Sequence, residues 1–369
     1  MAPIIKWAGG KEKELPYILQ NAPECFEDYY EPFVGGGSVF MAVNASHYYI
    51  NDLSVELNQL YQYIKDQDVV FFDSIMQLCI IWDKATEYFS SIHKELKSIY
   101  LRYRYGKFNE SDIREEINCL CNKSHSKIIE ILPQTYGKNN QKLTVGISSS
   151  LYSKMKRMKK IEASKNILPE KDINDNLETA IKGAIYTHLR TLYNDNTLSP
   201  ITHCCLFFFI RNYAYSGMFR YNKKGYFNVP YGGIAYNKKS LLPKINYYRS
   251  NEIVHHFSEA TITGLDFESF FESNPPKHND FVFLDPPYDS DFSTYAQNSF
   301  SQSDHKRLAN YLIHKIRCKW LMIIKSTPFI LSLYSNISNI NISSFDKEYQ
   351  VSFMNRNDKK ATHLIIKNY

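Results

Sequence analysis

The hydrophobic rhythm of the chain changes twice along its length. Near the N-terminus, short apolar runs alternate with amphipathic ones. YYEPFV (29–34) reads as a strand ending at GGGS (35–38), and VFMAVNA (39–45) reads as a helix. YYIND (48–52) reads as a second short strand, and VELNQLYQYIKD (55–66) carries apolar residues at helical spacing. Such alternation predicts a parallel, doubly wound sheet. From about 70 to 200 the runs become long, charged and helix-prone, as in ATEYFSSIHKELKSIYLRYRYGKF (85–108) and SSSLYSKMKRMKKIEASKNI (148–167). MFRYNKKGYFNVPYGG (218–233) then sets two aromatic-rich arms about Lys-Lys-Gly, the pattern of a hairpin with glycine at its turn. Sheet texture returns with ATITGLDF (260–267) and the buried-strand run DFVFLDPPY (280–288). A helix at DHKRLANYLIHKI (304–316) and a strand at WLMIIKS (320–326) follow, and SSFDKEYQVSF and ATHLIIKNY close the chain as an antiparallel pair. The expected fold is α/β: a mostly parallel, doubly wound sheet in residues 1–69 and 234–369. It is split by an inserted, mainly helical subdomain in 70–233 that includes a hairpin over 214–233.

Composition narrows the class. At 369 residues the chain is long for one simple domain, and 44% hydrophobic residues is ordinary for a water-soluble protein. No apolar stretch approaches twenty residues; CCLFFFI (204–210) is far too short to cross a bilayer, so no membrane partner is expected. MAPIIKWAGGK has no signal-peptide pattern, and seven scattered cysteines form no paired CxxC, so free thiols in a reducing cytoplasm and no metal are expected. The formal charge is +6, but Lys and Arg outnumber Asp and Glu by 20 to 12 in residues 84–194 alone, and the remainder is slightly acidic. A cationic segment in a near-neutral body suits a polyanion such as nucleic acid. Charge alone favours the plainer alternative, a solvated helical surface.

The candidate chemistry gathers where strands end. In FVFLDPPYDS (281–290) the prolines cannot donate to a ladder, so the strand must stop at Leu284 and deliver Asp285, Pro286, Pro287 and Tyr288 to its carboxyl end. Doubly wound sheets bind ligands on that rim. The Asp285 carboxylate and the Pro286 carbonyl can each accept a hydrogen bond from an amine, and the Tyr288 ring offers a stacking face. Together they suit a planar ring bearing an exocyclic NH2; the bland alternative is a proline-rich surface turn. FVGGGS ends a strand in three glycines, which lets a ligand approach the backbone, and no Gly-Lys-Ser/Thr follows to make it a nucleotide phosphate loop. Asp52, at the next strand's end, has the spacing of an acid that accepts ribose hydroxyls.

KWAGGK, FVGGGS, AYSGMFRYNKKGYFNVPYGG (214–233) and DPPY, in this order, resemble the Dam-like (D12 class) DNA adenine N6-methyltransferases. The resemblance covers most of 1–66 and 205–369, and 70–200 has no counterpart. It implies a methyltransferase-type sheet, S-adenosylmethionine as cofactor, and methyl transfer to N6 of an adenine flipped out of double-stranded DNA. Trp7 and Lys11 would contact the cofactor, the loop from Phe33 through Gly35 to Gly37 its methionine part, Asp52 its ribose and Asp266 its adenine. Asp285 would border the cofactor and, with Pro286, Pro287 and Tyr288, hold the target base. Trp7 also reads as a buried anchor, and Asp266 as the N-cap of a helix at FESFF. On the hairpin, Arg220 would read guanine, Tyr215 and Ser216 would wedge into the duplex, and Met218, Asn222, Lys223 and Pro230 would complete the DNA-binding face. Ser216 and Met218 depart from the asparagine and branched apolar residue common in compact members, which speaks against a GATC site. KMKRMKK (154–160) reads as a phosphate track or, equally, as a solvated helix face. A cytoplasmic enzyme, bacterial or phage-encoded, is expected; a companion restriction endonuclease and an orphan role in epigenetic marking both stay open, and an asymmetric site would favour a monomer. Two rival readings stand beside it: modification of cytosine N4, RNA or a protein amide by the same fold, and a DNA-binding regulator without turnover.

Overall fold

The structure is a computed structural model describing residues 1–7, 9–137, 140–195, 197–289, 300–348 and 360–369. Its chain divides into two compact units, Met1–Gln67 with Tyr248–Tyr369, and Asp68–Tyr247.

The first unit holds a sheet that has seven strands among the described residues: β1 (Asp28–Glu31), β2 (His47–Asn51), β3 (Ala260–Thr263), β4 (Phe281–Leu284), β5 (Lys319–Lys325), β6 (Asn341–Glu348) and β7 (Lys360–Lys367), in the order β3-β2-β1-β4-β5-β7-β6. Neighbours from β3 to β5 pair in parallel, and β7 lies antiparallel between β5 and β6. The expected closing pair is therefore present, although residues 349–353 of SSFDKEYQVSF lie outside the described residues. Strand limits follow the turn chemistry. β1 stops before Pro32, which has no N–H to give, and β4 stops before Pro286. The run ATITGLDF is strand only to Thr263, because Asp266 caps the helix Phe267–Ser273. All four residues of β4 are buried, as a central strand covered on both faces requires. Phe270, Leu308 and Leu312 from flanking helices pack against Val282, Trp320 and Met322 on one of those faces.

VFMAVNA forms only a short 3-10 turn, Phe40–Ala42. Val39, Phe40, Met41 and Val43 are buried and only Asn44 is exposed, so the segment offers no polar stripe along which an amphipathic helix could lie.

The second unit is helical apart from its hairpin. Val69–Arg104 runs 36 residues from an Asp68 cap that accepts the Phe71 N–H at 2.7 Å, and it buries Phe71, Ile75, Leu78, Trp82, Ala85 and Phe89 at spacings of three and four. CCLFFFI lies in Pro200–Tyr213, where Cys204 through Arg211 are buried; its all-round apolar face is that of a core helix. No helix among the described residues is long and apolar enough to cross a membrane. In the core of this unit Lys182 pairs with Glu178 at 2.8 Å and donates to the Asn237 carbonyl at 2.5 Å. Asn237 lies past residue 233, so the unit continues beyond the hairpin.

His256 shows what burial does to a titratable group here. Its ring lies 4.3 Å from the ring of Tyr48 and 4.5 Å from that of Phe40, and its Nε2 meets the Phe40 carbonyl at 3.0 Å. Burial pushes its pKa from 6.5 down to about 4. Between those values the unfolded chain takes up a proton that the folded chain refuses, so stability falls as pH drops through that window, by up to roughly 3 kcal/mol. Denaturant titrations across pH 7 to 4 are expected to show that fall, and a His256→Gln variant to show less of it. An unchanged slope in the variant would contradict the assignment.

Candidate active site

β1 and β4 are adjacent, with Tyr30 opposite Val282, and the winding of the chain reverses between them. The residues leaving their carboxyl ends, Glu31 onward and Asp285 onward, therefore meet at a topological switch point.

The glycine turn after β1 is held from behind. Val34 N–H reaches the Asn51 carbonyl at 2.9 Å, and the Gly35 N–H donates to Asp52 Oδ2 at 3.0 Å. Asp52 Oδ1 accepts the Ser54 N–H at 2.9 Å, and burial raises its pKa. The Tyr61 hydroxyl donates to the Gly35 carbonyl at 2.5 Å. Gly35 and Gly37 sit at φ 49° and 76°, where a side chain is strained. Gly36 is required for another reason: a Cβ there would stand 2.3 Å from the Ile5 carbonyl. The N-terminal segment lies directly on the turn, with Ile4 N–H donating to the Gly36 carbonyl at 3.1 Å and the Trp7 indole against Gly35.

That segment carries Lys11 inward until it is 2% exposed. Its ammonium donates to the Gly9 carbonyl at 2.9 Å and pairs with the Asp285 carboxylate, and it lies 5.6 Å from the centre of the Tyr288 ring. Glu31 accepts a 2.8 Å bond from the Tyr29 hydroxyl. Burial, reinforced by the charge of Asp285, pushes the Glu31 carboxyl well above its ordinary range. A small cleft, partly open to solvent, is walled by Trp7, Lys11, Glu31, Gly35, Gly36 and Asp285. The Tyr288 ring stands edge-on to the His363 ring at 5.4 Å.

In the second unit, Tyr221 bridges Phe227 and Ala214 bridges Tyr231 to close the hairpin. The turn is fixed by Asn222 Oδ1, which accepts the Lys224 and Tyr226 N–H groups, and by Gly225 at φ 78°. Phe219, Phe227 and Val229 face inward, so alternation turns Arg220, Asn222 and Tyr226 outward. Tyr215 is 50% exposed, and Ser216 beside it takes φ 53°, rare for a residue with a side chain.

The family model for D12 class N6 adenine-specific DNA methyltransferases matches residues 7–130 and 111–351. The chain belongs to this family. Over its whole length it is 25% identical to a type II methyltransferase, M.CviBI, of Paramecium bursaria Chlorella virus NC1A, covering all of that protein. It is 22% identical to M1.LlaDCHI, a type II methyltransferase of Lactococcus lactis subsp. cremoris, again over its whole length and 96% of the relative. A DNA adenine methylase of Salmonella typhi is 24% identical over 83% of this chain and 73% of its own.

In this adenine-specific DNA methyltransferase, Trp7, Lys11, Gly35 and Asp285 line one cleft, with Tyr288 beside it and Asp52 and Gly37 bracing the glycine turn. Pro286 is buried and Pro287 exposed. Phe33 packs on Phe267 and Phe300, at 6.1 and 5.6 Å between ring centres. Asp266 does cap a helix, accepting the Glu268 N–H at 3.1 Å, and it pairs with Arg307 at 2.8 Å. The hairpin residues Tyr215, Ser216, Met218, Arg220, Asn222, Lys223 and Pro230 all belong to the second unit. Of the basic run, Lys156 is taken by Glu110 at 2.8 Å and Lys159 by the Tyr103 carbonyl at 2.7 Å, while Arg157 and Lys160 stay exposed. Glu31 escaped the sequence reading. Its signal was an acid at the last strand position before Pro32, on the same rim as the glycines. Gly36→Ala is expected to lift the N-terminal segment from the turn and lower stability by about 1–3 kcal/mol in urea titration. Wild-type stability in that variant would mean the segment does not bear on the turn.

Proposed function

We propose that this methyltransferase uses S-adenosylmethionine, bound over the glycine turn, to methylate N6 of an adenine flipped out of double-stranded DNA. The observation that carries the reading is the buried Lys11 paired with Asp285 at the rim where the glycine turn also lies. The residues present fit such a cofactor. The turn is bare of side chains, as the close approach of a ligand to backbone requires. Lys11 and Glu31 offer opposite charges to an amino acid's carboxylate and ammonium, and an ammonium beside Glu31 would draw it to its ionised form. Asp52 holds two backbone N–H groups, and a carboxylate has further lone pairs for ribose hydroxyls. Phe33 would border the same ligand, and Asp266 would reach its adenine ring only alongside the bonds it already makes.

When bound, S-adenosylmethionine supplies a sulfonium methyl that is already strongly electrophilic. The protein's task is the nucleophile, because the N6 lone pair is delocalised into the purine. Asp285 and the Pro286 carbonyl would accept hydrogen bonds from the amine, draw the nitrogen toward tetrahedral geometry and stabilise the positive charge that develops there. Lys11 would keep Asp285 aimed. Pro287 would stiffen the turn, and stacking on Tyr288, worth on the order of 1–3 kcal/mol, would recover part of the cost of extruding the base.

For DNA, we assign Arg220 to a guanine, Tyr215 and Ser216 to the wedge, and Met218, Asn222, Lys223 and Pro230 to the surrounding face. Arg157 and Lys160 remain for phosphates. Two relatives are named type II methyltransferases, which supports a restriction endonuclease companion for this chain too, with the enzyme acting as a monomer in the cytoplasm of a bacterium or a virus-infected cell.

Transfer of labelled methyl from S-adenosylmethionine to duplex DNA, with mapping of the modified base, tests the reaction. N6-methyladenine is expected; label in cytosine, RNA or protein would overturn it. Asp285→Ala is expected to slow transfer at least ~100-fold while S-adenosylmethionine still binds, and near-normal turnover would defeat its role. Arg220→Ala should cost about 1–3 kcal/mol of discrimination at one guanine, seen as relaxed site preference in a library of duplexes. Undiminished selectivity would remove Arg220 from the readout.

A further inference from the structure

A two-stranded hairpin is at best marginally stable in water, and a slip of one residue turns every side chain of an arm to the opposite face. The hairpin over 214–233 carries Arg220, Asn222 and Tyr226 outward, so its register decides what it presents. Its ladder is short. Around the bridge of Tyr221 with Phe227, the Asn222 N–H donates to the Tyr226 carbonyl at 2.8 Å and the Asn228 N–H to the Arg220 carbonyl at 3.2 Å. Backbone groups alternate along a strand, so those of Phe227 and Val229 point away from the first arm, toward an edge.

The helix Glu170–Tyr193 meets that edge with side chains in place of a strand. Tyr186, Arg190 and Asn194 are spaced by four residues and share one face. Asn194, just past the helix end, makes a reciprocal pair with Phe227: its Oδ1 accepts the Phe227 N–H at 2.8 Å, and its Nδ2 donates to the Phe227 carbonyl at 3.0 Å. Arg190 donates to the Val229 carbonyl at 3.0 Å and reaches that of Asn228 at 3.4 Å. The hydroxyl of Tyr186, which is buried, gives the Val229 carbonyl a second bond at 3.1 Å. The first arm is tied by the Tyr221 hydroxyl, 2.9 Å from that of Tyr193. The two periods agree: four helical residues rise about 6 Å and two strand residues about 6.6 Å, so Arg190 and Asn194 fall opposite Val229 and Phe227.

We propose that Asn194 is a positioning residue for sequence readout: with Arg190 and Tyr186 it stands in for the third strand that the hairpin lacks, and so fixes the register at which Arg220 meets a base. This gives the inserted helices a part in selectivity that needs no contact of their own with DNA. The inference rests on the reading of the hairpin as the element that recognises DNA. Its signature is discrimination between sites. Cofactor affinity is untouched, because the residues assigned to the cofactor belong to the first unit.

The test is methylation of a library of duplexes by the full chain, read as the ratio of kcat/KM at the preferred site to that at each site changed by one base. S-adenosylmethionine titration and thermal unfolding accompany each variant. Asn194→Ala removes both halves of the pair with Phe227. It is expected to lower the ratio at the base read by Arg220 by ~5- to 100-fold, the scale of one lost base contact, with the dissociation constant of S-adenosylmethionine within about threefold of wild type. In an Arg220→Ala background, where that contact is already gone, Asn194→Ala is expected to cost no further selectivity at that base. Wild-type selectivity in Asn194→Ala, a loss of rate equal at every site, or an added loss in the Arg220→Ala background would each overturn the proposal. Should Asn194→Ala fail to fold, amide hydrogen exchange of the wild-type protein decides: a Phe227 N–H protected as strongly as that of Asn228 supports the pair, and fast exchange at Phe227 overturns it. Arg220→Ala alone separates the failures. If that variant keeps full selectivity, the reading of the hairpin fails; if it loses selectivity while Asn194→Ala does not, only the role of Asn194 fails.

Discussion

A lysine taken out of water must be met by a negative charge and by acceptors for its remaining protons, or its burial costs several kcal/mol. Lys11 is such a lysine, and the site is arranged around its needs. The Gly9 carbonyl takes one proton, the Asp285 carboxylate supplies the charge, and the Tyr288 face lies within cation–π reach. Because Lys11 belongs to the N-terminal segment and Asp285 to the end of β4, the pair ties that segment across the switch point of the sheet. The segment then runs over the turn after β1, and there only glycine fits beneath Ile5 and Trp7.

Removing Asp285 would leave the Lys11 charge buried without its partner, which is why the pair aims Asp285 better than a solvent-exposed bridge would. The same surroundings make Glu31 a reluctant acid, since its neighbour Asp285 already carries a negative charge. Two carboxyls on one rim are thus driven apart: one paired with the lysine, the other kept back by burial and by Tyr29.

Much of this was legible along the chain wherever a residue's covalent limits decide. The proline after Asp285 ends β4, glycines mark the turn, and a fully apolar run marks a strand covered on both faces; Pro32, read as lying inside a strand over 29–34, instead ends β1 at Glu31 because it has no N–H to give. The long helices announced themselves by texture, but their limits did not, because caps such as Asp68 and partners such as Asn237 act through contacts distant in sequence. VFMAVNA was misleading because its run of adjacent apolar residues is buried as a short 3-10 turn and not as one face of a helix. Charge was the least legible quantity. A count finds a basic run at 154–160, yet Lys156 and Lys159 are spent inside their own unit. Asp266 has the sequence of both a cap and a ligand contact, and its carboxylate is engaged with the Glu268 amide and with Arg307. Glu31 was visible as a letter, but only the adjacency of β1 to β4 brings Asp285 beside it.

The most direct test of the account is a crystal structure of the enzyme with duplex DNA and a non-reactive S-adenosylmethionine analogue. An extruded adenine is expected with its N6 about 3 Å from one Asp285 oxygen and from the Pro286 carbonyl, while Lys11 stays on the other Asp285 oxygen. A complex in which Asp285 has left the cleft, or the adenine amine meets different acceptors with the Lys11 pair undisturbed, would contradict it.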